Sequence, residues 1–363
     1  MPLFRRRSGG EGGQSGPGGQ SGQRGREGQE RAERRGFGFG FARRGTDAPA
    51  PAGGAEPRLD PTYGDEAVRR ALRQAGAGDW AALRPALAAA DDDDRSFLVG
   101  AISEVPRVEQ WTARALAETP DDPLLLVLSG ARHVVWGWEA RTGRRAKDVT
   151  EERWRVFHER LDTADEQLLE AAEREPSWHA PWAFLQQSAL GASLGPAVAT
   201  TRFEAAVRRA PGSPGPYRTR LQQLSAKWGG SHEEMHAFAR ATMLAAPEGS
   251  PLGELVALAH LEHWLSLPDG EDRAYLTGPA VVAGLQEAAF RSVLHPAFTP
   301  VRGWQRSFNA FAMAFSLAEQ PKTARLLFDA LDGCVTEAPW HYLAGDPATV
   351  FRAHRDRCAS ARR

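Results

Sequence analysis

Cysteine is nearly missing from this chain: Cys334 and Cys358 are the two among 363 residues. That scarcity excludes a disulfide framework and any cysteine-based metal centre, and it fits a reducing cytoplasm. No stretch approaches the ~20 apolar residues a membrane helix needs. The start, MPLFRRRSGG, carries arginines with no apolar run behind them, so the middle region of a secretory signal is lacking and a cytoplasmic protein is expected. Charge of one sign is not in excess either. With 45 Lys and Arg against 46 Asp and Glu the net charge is -1, and nothing in that whole-chain balance argues for nucleic acid or a membrane as the main partner. The sequence also lacks G-x-S-x-G, the phosphate-binding G-x-x-x-x-G-K-[ST], and a G-x-G-x-x-G placed between a strand and a helix, so the usual nucleophile and nucleotide signatures are absent.

What is present falls into two parts. Residues 1–57 are Gly, Gln, Ser, Arg and Glu with few aliphatic side chains, too little apolar surface to offset chain entropy, and a disordered tail is predicted. Between Met1 and Gly45 ten Arg face four Glu, a local charge of +6, and RRGFGFGFARRG interleaves Phe37, Phe39 and Phe41 with arginines. Such a tail has the chemistry to touch RNA or an anionic surface; a solubilising extension is the plainer reading.

Residues 58–363 read as α-helical. Runs such as DEAVRRALRQAG and EERWRVFHERLDTADEQLLEAAERE place apolar residues at i, i+3, i+4 and i+7, while strand-type alternation is scarce. A repeat underlies the middle of the chain. Phe203 follows Leu168, and Phe238 follows Phe203, each by 35 residues. The same interval links Ala171, Ala206 and Ala241, then Pro181, Pro216 and Pro251, then Ala189, Leu224 and Ala259. Each unit closes a helix near a proline and opens the next with another, where the missing N–H costs nothing, so the unit is a helical hairpin. A period of ~34 residues with paired helices predicts an all-α, TPR-like solenoid, clearest over residues 154–264. After Leu276 the register is lost, and residues 276–363 are expected to form further helices that extend or cap the stack.

The pieces GDW, VVWGWEAR, KWGGSHEEMHAFARA and AHLEHW, spread from Asp79 to Trp264, resemble a family of uncharacterised bacterial TPR-like proteins, a domain of unknown function in which a Lys-Trp-Gly-Gly-Ser turn precedes a helix. The resemblance implies a helical solenoid and transfers no catalytic residue. The chain departs from ordinary TPR repeats in lacking W-x-x-L-G-x-x-Y and in the longer segment between Arg141 and Glu151.

One segment spells a metal motif. His232-Glu233-Glu234-Met235-His236 fits H-E-x-x-H, in which two histidines on one helical face bind zinc and the glutamate acts as base. Glu254 is available as a third ligand, and His260 and His263 share an i, i+3 face beyond it. A zinc hydrolase using His232, His236 and Glu254 is therefore one reading. The other takes Gly229 and Gly230 as a stop, Ser231 as an N-cap and Glu234 as its capping-box partner, which makes the motif a helix start. The second reading is the expected one, with no cofactor, and it makes Met235, Phe238, Ala239, Thr242 and Ala246 the core stripe. Asp91 to Asp94 lacks the spaced ligands of a calcium loop and is expected to cap a helix.

The expected function is that of a protein-interaction scaffold holding a protein or peptide partner, not an enzyme. Candidate binding residues are Trp138, Arg141 and Arg145 at the irregular insertion, with Lys227 and Trp228 at the turn, because aromatic and arginine anchors dominate binding surfaces and loops that interrupt a scaffold carry function.

Overall fold

The computed structural model describes residues 55–142, 148–268 and 270–361. The tail predicted for 1–57 lies outside them except for its last three positions. The described chain is all-α apart from one two-residue strand pair, and it divides into two compact units, Gly64–Leu224 and a second that begins at Ser225 and takes in the segment up to Tyr63. Among the described residues no helix is long and apolar enough to cross a membrane.

The first unit contains α1 (Glu66–Ala77), α2 (Trp80–Ala89), α3 (Asp92–Ser103), α4 (Val108–Glu118), α5 (Pro123–Arg141), α6 (Glu151–Arg174), α7 (Ala180–Gly191), α8 (Pro196–Arg209) and α9 (Pro214–Leu224). Short polar side chains start five of them. Asp65, Asp79, Asp91, Asp122 and Thr150 each accept a backbone N–H from the first turn of the helix they precede, satisfying a donor that has no intrahelical partner. The acidic run at 91–94 is therefore a cap and first turn, as the sequence predicts.

α5 is the centre of this unit. Its LLLVL run is buried on every side, and α2, α3, α4, α6 and α7 all pack against it. Gly130 lets α6 approach: a Cβ there would sit 2.6 Å from Leu168 Cγ. Trp138, 7% exposed, packs edge-on against Phe157 at a ring separation of 4.9 Å. The two predicted hairpins of this unit are present as α6–α7 and α8–α9, with α7 in contact with α6, α8 and α9. Ala171 and Ala206, the small residues of one repeat column, are fully buried. Two arginines are drawn into the packing with their partners. Arg132, 4% exposed, donates to Glu109, to both oxygens of Glu139 and to the Ser103 carbonyl. Arg202 grips Asp165 through both terminal nitrogens and donates to the Leu185 carbonyl at 2.7 Å.

The second unit contains β1 (Arg58–Leu59), a single 3-10 turn Ala226–Trp228, α10 (His232–Ala245), a second such turn Pro251–Gly253, α11 (Glu254–Ser266), α12 (Glu271–Leu276), α13 (Pro279–Arg291), α14 (Gln305–Leu317), α15 (Pro321–Leu331), β2 (Cys334–Val335), α16 (Glu337–Trp340) and α17 (Pro347–Ser360). The third predicted hairpin is α10–α11. Its first helix is turned relative to the repeat, however: Met235, Ala239 and Met243 are buried, Phe238 and Thr242 are half-buried, and Ala241 of the alanine column is exposed.

α14 is the hub of the second unit, with Phe311, Met313 and Phe315 fully buried and α11, α13, α15 and α17 around it. Its buried Asn309 ties three segments together. Asn309 donates to the Gln305 and Cys334 carbonyls and accepts the Trp340 indole N–H at 2.6 Å. β1 pairs in parallel with β2, and Ala55 N–H reaches Asp332, so residues 55–59 belong to this unit. The helices after residue 276 thus pack around α14 and close onto that N-terminal segment.

Candidate functional site

The motif that spells H-E-x-x-H is a helix start whose histidines meet a second histidine pair. The turn before it is built by Gly229, in the left-handed region at φ 94°, and by Gly230 N–H, which donates to the Ser225 carbonyl. Ser231 then caps α10, accepting Glu234 N–H at 3.1 Å. The exposed Glu233 carboxylate is held below the usual carboxylate range, first by the nearness of its own backbone N–H and then by Ser231.

Glu254 does not join His232 and His236. It is fully buried at the start of α11 and accepts the Ser307 hydroxyl at 2.5 Å, a partner on α14. The hydrolase ligand set read from the sequence is accordingly not assembled. The reason is helical geometry: Glu254 lies near the N-terminus of α11, while the histidines of α10 meet its C-terminal half.

That half carries His260 and His263. The His232 and His263 rings stack at 3.9 Å with 6° between their planes, and His236 lies 4.6 Å from His260 and 5.4 Å from His263 between ring centres. His236 Nε2 stands 3.2 Å from His263 Nδ1 and 3.2 Å from the Tyr275 hydroxyl of α12, and that hydroxyl is 2.7 Å from His260 Nδ1. Ser266 spends its one proton on the His263 carbonyl, so it accepts from His232 Nε2–H at 3.1 Å. This fixes the His232 tautomer and leaves its Nδ1 buried without a partner.

Burial, reinforced by the neighbouring rings, pushes His236 and His263 down to about 4 and His260 to about 3; burial lowers His232 and raises Tyr275. All four imidazoles are neutral at pH 7. Among the described residues no three His, Cys, Asp or Glu side chains form a group able to hold a metal ion.

The candidate binding residues are scattered. Trp138 is packing and Arg141 is 1% exposed, its guanidinium donating to the Thr142 carbonyl and lying 5.4 Å from the Trp154 ring. Burial lowers Arg141 to about 10. Arg145 lies outside the described residues. Lys227 pairs at 2.6 Å with Glu262, which also accepts the Tyr342 hydroxyl, and Trp228 is half-buried beside that pair. Long side chains with large apolar stems are readily absorbed into helix packing, and Trp138 and Arg141 are spent there.

A different surface is exposed. On α6 the exposed residues Asp162, Glu166, Leu169, Glu170 and Glu173 fall at helical spacing on one side. Leu169 is 41% exposed. Glu166, Leu169, Glu170, Glu173 and Arg174 line a shallow depression, and Arg174 is held by Glu170 and Asp121. The signal was legible as a second, acidic stripe opposite the Leu161, Leu168, Ala171 core stripe. No family model, curated protein or solved structure matches the chain.

Proposed function

We propose that the protein is a non-enzymatic scaffold of the cytoplasm, a TPR-like stack of helical hairpins that holds a protein or peptide partner, and that the partner docks on the outer stripe of α6. The observation that carries this reading is an exposed leucine set among carboxylates: Leu169 with Glu166, Glu170 and Glu173 at helical spacing. An apolar side chain in an acidic rim matches a basic amphipathic segment, whose leucine buries against Leu169 while its lysines or arginines meet the carboxylates. Charge of this kind speeds encounter and fixes register more than it adds affinity. Hairpins α6–α7 and α8–α9 supply the rigid support, since Arg202 ties α8 to α6 through Asp165.

The test is fluorescence anisotropy with a labelled helical Leu/Lys peptide and its Leu/Glu counterpart. The Lys peptide is expected to bind, and the paired substitution Glu166→Lys and Glu170→Lys is expected to weaken it at least ~10-fold, about 1.4 kcal/mol. Equal binding of both peptides, or no change in the variant, would remove α6 as the docking face.

A further inference from the structure

The histidine cluster of α10 and α11 lies on the second unit and plays no part in docking at α6. We propose that it is a binding site for a borderline divalent transition-metal ion such as Zn(II), held by His236 Nε2, His263 Nδ1 and the Tyr275 hydroxyl. Histidine, cysteine and carboxylate side chains alone do not complete a donor set here; the phenol of α12 does.

The geometry points that way. His236 Nε2 is 3.2 Å from each of the other two donor atoms, and ligand atoms ~2.0–2.1 Å from a tetrahedral ion stand about 3.3 Å apart. The pair can thus close on an ion with little movement. Two imidazoles and one oxygen suit zinc and its neighbours rather than magnesium or calcium, which prefer oxygen alone.

The surroundings hold the donors in place. His260 Nδ1, 2.7 Å from the Tyr275 hydroxyl, holds the phenol oxygen in place beside His236. His232 stacks flat on His263 and is anchored at Ser266, which fixes the plane of the His263 ring. A ring held by a neighbour is a better ligand than a free one, because its orientation is set before the ion arrives. His260 and His232 are positioning residues here, not ligands. In the unloaded protein His236 Nε2 faces two polar atoms with a single proton site, and a bound cation satisfies all three donors at once.

The experiment uses the full chain without a polyhistidine tag. Zn(II) is titrated by calorimetry, and zinc retained after gel filtration is measured together with the thermal midpoint in the presence and absence of excess Zn(II). Wild type is expected to bind about one Zn(II) per chain and to rise in midpoint with the metal, since a ligand bound by the native state alone stabilises it. His236→Gln and His263→Gln are expected to lose that ion. Tyr275→Phe, which keeps the ring and so the packing, is expected to bind ~10–100-fold more weakly. His260→Gln, whose amide can still hold the Tyr275 hydroxyl, is expected to retain binding. Wild type that takes up no zinc, or a Tyr275→Phe protein that binds as tightly as wild type, would overturn the assignment.

Discussion

The approach of α6 to α5 at Gly130 is open to a direct test by adding one methyl group. A Cβ at this position would lie 2.6 Å from Leu168 Cγ, 2.9 Å from Leu168 Cδ2 and 3.3 Å from the Ala164 carbonyl oxygen. Leu168 is fully buried, so it has no free space into which to swing. Overpacking of this kind costs ~1–3 kcal/mol. Alanine in place of glycine inside a helix returns about 1 kcal/mol through propensity. Gly130→Ala is therefore expected to destabilise by ~0–2 kcal/mol, where an uncrowded helical glycine would give a gain. Leu168→Ala alone should cost ~2–5 kcal/mol through the cavity it leaves. In the double variant the new methyl occupies part of that cavity and the clash is gone. Its stability should exceed the sum of the single effects by ~1–3 kcal/mol, a coupling that a double-mutant cycle isolates. The assay is urea unfolding followed by far-ultraviolet circular dichroism and tryptophan fluorescence. Additivity within ~0.5 kcal/mol, or a full propensity gain from Gly130→Ala alone, would refute the close approach.

Other perturbations follow from single sites. Ser231→Ala removes the acceptor of Glu234 N–H and should cost about 1 kcal/mol, read as a lower thermal midpoint; an unchanged midpoint would remove the cap from the account. Arg202→Met strands Asp165 and the Leu185 carbonyl and should cost ~3 kcal/mol, part of which returns with Asp165→Leu added, as chemical denaturation of both variants would show. His354 is buried and pushed down to about 4 by desolvation and then by Arg357, whose guanidinium donates to its Nδ1 at 2.8 Å; the Ser316 hydroxyl lies 2.8 Å from the same nitrogen. Its native pKa lies below that of the unfolded chain, so between about pH 6.5 and pH 4 the unfolded state binds the extra proton and stability falls as pH falls. The loss from about pH 7 to about pH 5 is ~2 kcal/mol at most, and His354→Gln should flatten the pH dependence of the denaturation midpoint by a comparable amount. Parallel pH profiles for variant and wild type would contradict that origin.

The helical hairpins were legible because each is a local event: a proline near one helix end, a proline opening the next, and an apolar stripe between them. The caps at Asp91 and Ser231 were legible for the same reason, since a side chain meets a backbone N–H three residues on. Residue type and position beside the irregular insertion mark Trp138 and Arg141 as binding anchors in the sequence. The structure buries both, and nothing within one helix indicates how much apolar stem its neighbours will cover. The histidines needed tertiary information. His232 and His236 share one helix face and His260 and His263 another, but only the pairing of α10 with α11, and the placement of Tyr275 by α12, bring the nitrogens within 3.2 Å. The pair Lys227 and Glu262 is 35 residues apart, the repeat period itself, so that contact was available to a reader who followed the columns.

The most direct measurement of the proposed docking face is hydrogen exchange on the protein with and without the basic Leu/Lys peptide, read by mass spectrometry at peptide resolution. The account predicts slowed exchange concentrated on the segment covering residues 162–174 of α6, with α10 and α11 unchanged. Protection confined to any other helix, or none at peptide concentrations that saturate the anisotropy signal, would contradict it.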